Sequence, residues 1–552
     1  MNDHRTPVRT PSAAGRWVRA ALAIALAAGA AVPAGSAVAQ AADAPAAPAT
    51  PISLDVAAHG NGGVLTDGHQ GFSVESADFA HGFLTRDLMA QRMKTLGSDG
   101  VLRIGGYSMD LVWPAFGAYA DSAAPKEAIG GTVDQSDLDA LKGLLHATGW
   151  KVTLGLPLKS VIDPAKLKDP TKDPSPHVTM DQIIAEVRAA HATLGDGLLS
   201  VEVGNEFDNV TTLTGAEMWD TMKSYQAAIR AAVPHARITV AGPSANTATT
   251  NTKLQDVSSA ALADTSVNPR DVLSELSSHL YPGSHCGTAT MTIPQLMSAK
   301  TYTTTRTKLA GIKAIGDEFG GRIPMTINES NSASCSGQPG ASDAYATSLW
   351  SLDYLLQTAQ SGIARVEFHT NTAAVCGDFK PRDSADYPIS YRYYGAFCAP
   401  DQASLDAGRL SAAPLYYGLW AFHQVPQGQF VDLGLSDADL ERVRAYGVRG
   451  RDGSLTVVLI NVQDPATAGS GDDSVTLGLP QGYRKGRAVT LGTSAPEGLA
   501  SRDAGRISLG GATVTPQGSP SARPAATPVR VGHGSSTVDV PAGTARILTF
   551  TR

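Results

Sequence analysis

The sequence lacks any concentrated run of basic residues. The net charge is −7, and no cluster of Lys and Arg stands out along the 552 residues. Proteins that bind nucleic acid present such a cluster, so nucleic acid is not expected as a partner. Glycine-rich phosphate loops, HExxH pairs and Gly-x-Ser-x-Gly elbows are also missing, which argues against nucleotide, zinc-protease and serine-hydrolase chemistry. No metal or organic cofactor is expected.

Long apolar runs are missing after the first forty residues. Four arginines precede an apolar stretch from residue 20 to 32, and Ala37-Val38-Ala39 is a small-residue cleavage site. This pattern predicts a secretory signal peptide over residues 1–39. A membrane anchor is the alternative, but the apolar run is short for a span. We expect a secreted or periplasmic protein that has no membrane contact once the signal is cleaved.

Cysteine is scarce, with four residues at Cys286, Cys335, Cys376 and Cys398. An even number in an exported chain favours two disulfides, with buried free thiols as the alternative. The spacings match no zinc pattern. Three pairings are possible. We favour Cys286–Cys335 with Cys376–Cys398, because all four cysteines follow segments that we place on one face of the predicted fold.

Eight apolar segments alternate with helical stretches in the first three quarters of the chain. The predicted strands cover residues 71–75, 101–106, 151–158, 198–206, 237–245, 274–282, 322–330 and 365–370. Helices are predicted at Met180–Leu194, Gly215–Ala232 and Ser342–Gln360, the last with Ser342 as its N-cap. This order predicts an α/β fold, a (β/α)8 TIM barrel over residues 61–420. An open doubly wound sheet is the alternative.

The pattern changes after residue 420, where strand-like segments follow one another without helices between them. Residues 442–462 form a predicted hairpin around Asp452-Gly453, and further strands cover 474–479, 506–511 and 537–551. We therefore expect a C-terminal antiparallel β-sandwich over residues 421–552. Residues 40–60 are predicted to be a linker with an N-terminal strand.

Polar side chains stand at the carboxyl ends of the predicted barrel strands. They are Glu75, Asn205, Glu206, His279, Tyr281, Glu329 and His369. In a barrel these ends meet at one face, where active sites lie. A single glutamate at a strand end is usually a solvated loop residue, and His279 could be a core histidine. The combination of so many polar groups favours a catalytic cleft.

Glu206 and Glu329 supply the two carboxylates that glycoside hydrolysis requires. One carboxyl protonates the leaving oxygen, and the other carboxylate attacks the anomeric carbon when the two are roughly 5–5.5 Å apart. We expect this shorter, retaining separation for the fourth and seventh strands. Burial and the charge of Glu329 would keep Glu206 protonated, while Tyr281 would keep Glu329 ionised. The Asn205 amide is placed to bind the sugar 2-hydroxyl.

Several stretches of the sequence resemble glycoside hydrolase family 79, which contains β-glucuronidases and heparanases within the retaining (β/α)8 clan A. The stretches are LRIGGYSMDLVW, VEVGNEFD, SSHLYP, residues 327–370 and APLYYGLWAF. The resemblance implies that Glu206 is the acid/base and Glu329 the nucleophile. It places His279 and Tyr281 in the sugar pocket and Glu75 at the sugar hydroxyls. It also implies that the strand at 51–56 joins the sandwich.

The same resemblance implies that tyrosines and main-chain N–H groups after the eighth strand bind the glucuronate carboxylate. The residues in this chain are Tyr391, Tyr393, Tyr394 and Gly395, and Arg392 could also serve. A surface aromatic loop is the alternative. The chain departs from the family at Tyr107, where members often have a small polar residue. We predict that Tyr107 narrows the cleft and favours cutting from the chain end.

Together these features predict a secreted exo-β-glucuronidase that acts on a glucuronate-containing oligosaccharide or polysaccharide. It would remove terminal glucuronate or the 4-O-methyl form of this sugar. The alternatives are a heparanase-like endohydrolase, an arabinofuranosidase or xylosidase of the same clan, and a carbohydrate-binding protein without turnover. Residues 110–135 could block or open the cleft, and so separate the exo-acting from the endo-acting reading.

Overall fold

A computed structural model of the protein describes residues 51–82, 89–169, 175–370, 376, 377, 379, 393–407, 409–467, 470–515 and 519–552. The predicted signal peptide, most of the linker, Tyr391 and Arg392 lie outside the described residues. Within the described ranges, none of the helices has both the length and the apolar character needed to cross a membrane.

Eight parallel strands close into a barrel in chain order, and the eighth pairs with the first. The strands are Gln70–Glu75, Val101–Gly105, Lys151–Leu156, Leu198–Val203, Val240–Asn246, Leu273–His279, Met325–Ser330 and Arg365–His369. Each agrees with a predicted apolar segment to within three residues at either end. The predicted closed barrel is confirmed, and the open doubly wound sheet is excluded.

Helices surround the barrel strands. The longer ones are Gln135–Thr148, Met180–Leu194, Gly215–Ala232, Thr252–Ala263, Ala299–Asp317 and Ala346–Gln360. The shorter ones are Ser76–Ala80, Met89–Thr95, Phe207–Val210, Ile293–Met297, Gln402–Asp406 and Pro414–Phe422. Thr179 and Thr214 each cap a helix by accepting a backbone N–H, which explains why two helices begin where the sequence predicts.

The prediction that Ser342 caps a helix is wrong. The helix begins at Ala346, and Tyr345 precedes it without a side-chain cap. The Ser342 hydroxyl instead lies 2.8 Å from the hydroxyl of Ser332 and accepts a hydrogen bond from the backbone of Gln338. The serine thus stabilises the loop before the helix, because its oxygen is used by residues that precede it in the chain.

Two sheets form the C-terminal sandwich. The larger sheet is antiparallel and contains Gly60–Leu65, Gly428–Val431, Val443–Gly450, Leu455–Asn461, Ala545–Thr551, Lys485–Thr493, Ile507–Leu509 and Thr527–Val529. The smaller sheet contains Ile52–Asp55, Asp473–Gly478 and Ser535–Val540. An apolar core lies between the sheets and includes Leu54, Val457, Leu477 and Phe550.

Two details of the sandwich differ from the sequence prediction. Ile52–Asp55 pairs in parallel with Asp473–Gly478, so the smaller sheet is not purely antiparallel. Gly60–Leu65 pairs with Gly428–Val431, so these residues lie in the sandwich although the expected barrel began at residue 61. The chain therefore contributes two strands to the sandwich before it enters the barrel.

Polar contacts join the sandwich to the barrel. The buried Tyr446 hydroxyl of the sandwich donates to Asp353 of a barrel helix at 2.5 Å. Tyr345 donates to the carbonyl of Gly543 at 2.8 Å. Arg502 of the sandwich forms an ion pair with Asp343. The helix Ala346–Gln360, which follows the seventh strand, is therefore held by the sandwich at its N-terminal end and at its middle.

Two disulfides link loops that follow the barrel strands. The structure joins Cys286 to Cys335, across the loops after the sixth and seventh strands. It also joins Cys376 to Cys398, across the segment after the eighth strand. Both bridges therefore lie on the face to which the carboxyl ends of the barrel strands point.

Candidate active site

The two predicted catalytic glutamates meet at the mouth of the barrel. Glu206 follows the fourth strand and adopts a left-handed backbone conformation, with φ of 45°. Glu329 lies near the end of the seventh strand. One carboxylate oxygen of each glutamate and one ring nitrogen of His279 all lie within 4.8 Å of one another. This separation resembles that of retaining glycosidases, roughly 5–5.5 Å between carboxyl groups.

Glu329 is surrounded by hydrogen-bond donors and positive charge. Arg103 Nη1 donates to Oε2 at 2.6 Å, and the Tyr281 hydroxyl donates to Oε1 at 2.8 Å. The Nδ1 atoms of His279 and His369 lie 3.8 and 3.9 Å from Oε2. Burial alone would raise the pKa of this carboxyl, but the neighbouring charges and the tyrosine hold the pKa well below its usual range. These surroundings favour the ionised form of Glu329, as the sequence predicts for this residue.

Glu206 is the more exposed of the two glutamates, with 19% of its side chain accessible against 12% for Glu329. Its Oε1 lies 3.0 Å from His279 Nδ1, and its Oε2 accepts a hydrogen bond from Asn209 at 2.5 Å. Burial opposes protonation of His279, but the charge of Glu329 and the hydrogen bond to Glu206 raise the pKa of the imidazole. The imidazole of His279 therefore lies between the two glutamates, 3.0 Å from Glu206 and 3.8 Å from Glu329.

A buried arginine on the second strand organises the floor of the site. Arg103 donates to both carboxylate oxygens of Glu202, at 2.9 and 2.5 Å, and to Ser73 at 3.0 Å. It also donates to Asn205 Oδ1 at 2.6 Å. Because arginine can only donate, this contact identifies the amide oxygen of Asn205, so the NH2 group is the part of the side chain left to donate. Asn328 donates to Glu202 at 2.9 Å and completes the network.

Sequence reasoning did not identify Arg103 or Glu202. Both residues are charged and yet fully buried, and each stands in an apolar run of the sequence, Arg103 in VLRIGG and Glu202 in LLSVEVGNE. A charge buried inside such a run is costly unless it is paired with an opposite charge. One positive and one negative charge in two apolar runs were therefore the signal from which their contact could have been predicted. The sequence could not show that the partner of Glu202 also reaches Glu329.

Glu75 ends the first barrel strand and is held by Ser108 and His369. Its Oε2 accepts hydrogen bonds from the backbone and hydroxyl of Ser108, at 2.9 and 2.6 Å, and its Oε1 lies 3.4 Å from His369 Nε2. Burial opposes ionisation of Glu75, but His369 and Ser108 lower its pKa. A Cβ atom on Gly106 would lie 2.5 Å from Oε2, so only glycine lets this turn approach the carboxylate.

Of the described residues of the predicted carboxylate site, Tyr394 lies beside Tyr281. The ring of Tyr394 lies 6.3 Å from that of Tyr281 and 5.7 Å from that of His369. Tyr393, Tyr394 and Gly395 also line a cavity of about 210 Å³. Tyr393 is anchored through its backbone N–H, which donates to Ser336 at 2.6 Å. Tyr391 lies outside the described residues.

The atoms of Glu206, His279 and Glu329 are close enough together to ligate a metal ion. Arg103 already provides a positive charge 2.6 Å from one oxygen of Glu329, and Tyr281 occupies the other oxygen. A second cation would be repelled by the guanidinium. The arrangement therefore suits acid–base and nucleophilic chemistry better than metal binding.

A family model matches the C-terminal part of the chain. Residues 445–547 match the glycosyl hydrolase family 79 C-terminal beta domain. The resemblance to this family is thereby confirmed through the sandwich. No curated protein matches the sequence.

Solved structures resemble the chain over most of its length. A 4-O-α-L-rhamnosyl-β-D-glucuronidase from Fusarium oxysporum superposes with a TM-score of 0.68 at 18% identity, covering 91% of this chain and 100% of that chain. A family 51 arabinofuranosidase from Xanthomonas axonopodis gives 0.61 at 13% identity, with coverages of 91% and 100%. A β-xylosidase from Caulobacter crescentus gives 0.57 at 14% identity, with coverages of 90% and 99%. The chain shares the fold of these glycosidases.

Proposed function

We propose that the protein is a retaining exo-β-glucuronidase that releases terminal glucuronate, or its 4-O-methyl form, from a glycan. The observation that carries the retaining mechanism is the approach of Glu206 and Glu329 oxygens to within 4.8 Å across the barrel mouth. An inverting enzyme needs about 6.5–9.5 Å between its carboxyl groups, because a water must fit between the sugar and the base.

In the first step, Glu329 attacks the anomeric carbon and the bond to the leaving oxygen breaks. Glu206 gives its proton to that oxygen, so the leaving group departs as an alcohol. In the second step, Glu206 accepts a proton from water, and the resulting hydroxide oxygen displaces Glu329 from the sugar. The two inversions give net retention of configuration.

The surrounding residues serve these two steps. Arg103 and Tyr281 keep Glu329 ionised before attack, because both donate to its oxygens. Asn205, held by Arg103, presents its NH2 group for the sugar 2-hydroxyl, a contact that strengthens in the transition state. Glu75 would bind other hydroxyls of the same sugar.

Three observations support glucuronate as the sugar. Residues 445–547 match the sandwich of glycosyl hydrolase family 79. A structure with the same fold is that of a rhamnosyl-glucuronidase, with a Rha-GlcA ligand. Tyr394 borders Tyr281, whose hydroxyl contacts the nucleophile, so a group at Tyr394 lies next to the reacting sugar. Tyrosine hydroxyls are neutral donors to a carboxylate.

Azide rescue tests the roles of the two glutamates. With p-nitrophenyl β-glucuronide as substrate, Glu329→Ala plus azide should yield the α-glucuronosyl azide, because azide replaces the nucleophile. Glu206→Ala plus azide should yield the β-azide, because azide attacks the intermediate from the other face. Glu186→Gln, a buried carboxylate on an outer helix, serves as the control and should need no azide. Rescue with the opposite anomers would refute the assignment.

An endo-acting, heparanase-like enzyme is the second reading that the cleft allows. The same glutamates would then cut internal glucuronate bonds. The products separate the two readings, because an exo-enzyme releases only monosaccharide from a polymer from the first minutes of reaction. Early release of oligosaccharides would instead establish endo action.

A further inference from the structure

One buried histidine, His369, lies between three parts of the proposed site. It ends the eighth strand, where it pairs with Ser73 of the first strand, and only 2% of it is exposed. Its Nε2 atom lies 3.4 Å from Glu75 Oε1, and its Nδ1 atom lies 3.9 Å from Glu329 Oε2. The ring of Tyr394 packs edge-on against it, with centroids 5.7 Å apart. The two chemical steps of the proposed mechanism do not use this central residue.

The strand register explains the position of the histidine. Ser73 and Glu75 are two residues apart on the first strand, so their side chains point to the same face of the sheet. Because His369 is the partner of Ser73 across the two strands that close the barrel, its ring lies beside both side chains. Asn331 donates to the carbonyl of His369 at 3.0 Å and holds the end of the strand. The ring is thus placed by backbone pairing within the barrel.

The contacts of Ser73 decide which ring nitrogen of His369 carries the proton. Arg103 Nη1 donates to Ser73 Oγ at 3.0 Å, and because arginine can only donate, this bond uses a lone pair of the hydroxyl. Among the residues that the structure describes, the only other partner of Ser73 Oγ is His369 Nδ1, also at 3.0 Å. A buried hydroxyl proton without an acceptor is costly, so the hydroxyl donates to Nδ1. The ring proton therefore lies on Nε2, the nitrogen nearer to Glu75.

Glu75 needs hydrogen-bond donors because its side chain is buried. Its Oε2 accepts from the backbone and the hydroxyl of Ser108, and within the described ranges Oε1 has His369 as its one partner. Hydrogen bonds to a carboxylate favour its charged form, which can only accept. Oε1 keeps a lone pair for a further donor, and a sugar hydroxyl is such a donor. A carboxylate held in this way selects for a free hydroxyl on the sugar.

We propose that His369 is a positioning residue that holds Glu75 as the acceptor for one hydroxyl of the glucuronate, by donating from Nε2 to Oε1. Ser73 and Arg103 act behind it, because they keep the ring proton on the nitrogen nearer to Glu75. The 3.4 Å contact is long for a hydrogen bond, and such contacts in active sites tighten when the substrate binds. The proposal rests on the proposed function and deepens it, because it names the group through which the cleft selects a free hydroxyl.

The test compares substrates within one protein, so that a general loss of folded enzyme cancels. The substrates are p-nitrophenyl β-glucuronide and its 3-deoxy and 4-deoxy forms. The hydroxyl that Glu75 binds is the one whose removal lowers kcat/KM in the wild type and no longer does so in Glu75→Ala. For this hydroxyl, the wild-type preference should fall roughly tenfold in His369→Asn, as expected for the loss of one hydrogen bond to a charged group.

Two amide variants separate positioning from packing. The NH2 group of a glutamine can take the place of Nε2, whereas the shorter asparagine reaches only the place of Nδ1. His369→Gln should therefore keep the preference that His369→Asn loses. His69→Asn is the matched control and should also keep the preference. His69 is buried at the other end of the same two strands, where its ring contacts Ala364 and Thr358.

Nitrogen NMR of protein labelled in its histidines reads the tautomer without any substrate. The His369 signals are those missing from His369→Gln, and Nδ1 should have the chemical shift of an unprotonated nitrogen. A protonated Nδ1, a preference that survives His369→Asn, or an equal loss in both amide variants overturns the proposal while the proposed function stands. A preference that Glu75→Ala leaves unchanged removes the role of Glu75 and the proposal with it. No turnover of the complete glucuronide by the wild type overturns the proposed function as well.

Discussion

Replacing Tyr281 with Phe isolates one hydrogen bond to the proposed nucleophile. The hydroxyl donates to Glu329 Oε1 at 2.8 Å, and both side chains are buried. A hydrogen bond to a charged group contributes about 1.5–3 kcal/mol. Because one pKa unit corresponds to about 1.4 kcal/mol, its loss should raise the pKa of Glu329 by roughly one to two units.

The sign of the effect follows from the depressed pKa of Glu329. The carboxylate contributes stability and activity above its unfolded pKa, and both are lost as pH falls through the folded pKa. In the variant the folded pKa lies higher, so the acid limb of kcat/KM should move upward. Tyr354→Phe is the control, because that buried hydroxyl contacts Leu280 and Ser330 and neither glutamate. An unmoved acid limb in Tyr281→Phe, or an equal shift in the control, would refute the reasoning.

Two further predictions concern stability. Burial and the negative charge of Glu275, which also binds Arg365, raise the pKa of Glu367 from 4.5 to about 8, although its own contact with Arg365 acts to lower this pKa. The folded state therefore holds an extra proton between these values and loses stability as pH rises toward 8, so Glu367→Gln should be more stable than wild type at pH 8, by on the order of 3 kcal/mol, with little gain at pH 4. Urea unfolding of the wild type and the variant at pH 4 and at pH 8 measures the difference in stability. Equal unfolding curves for the two proteins at pH 8 would contradict the prediction. Replacing Cys286 and Cys335 together with Ser opens a link across 49 residues and should cost about 4 kcal/mol of unfolding free energy, measured against the wild type with its disulfides intact. A fall in the unfolding free energy of less than 1 kcal/mol would mean that the disulfide does not stabilise these loops.

Local signals in the sequence located the elements of the barrel well. Buried strands appear as short apolar runs, and the helices Met180–Leu194 and Gly215–Ala232 have the bounds that the sequence predicts. The same local reasoning failed at Ser342, whose oxygen is used by Ser332 and Gln338 in a loop. A cap cannot be distinguished from a loop contact until the path of the chain is known.

The site was predictable where strand ends carry polar residues, and not where contacts cross the barrel. Glu206 and Glu329 follow from their positions at strand ends, because the topology brings such ends together. Arg103 contacts residues 99 and 226 positions away along the chain, Glu202 and Glu329. Its role depends on which side chains share the barrel interior, and that requires the closed geometry.

The most direct test of the account is the release of p-nitrophenol from its β-glucuronide, beside the β-glucoside and the β-xyloside, by wild type and Glu329→Ala. We predict turnover of the glucuronide alone, lost in the variant. The expected loss reflects the missing nucleophile, provided that circular dichroism shows the variant to be folded. Turnover of a neutral sugar would contradict the glucuronate assignment, and full activity in Glu329→Ala would contradict the proposed mechanism.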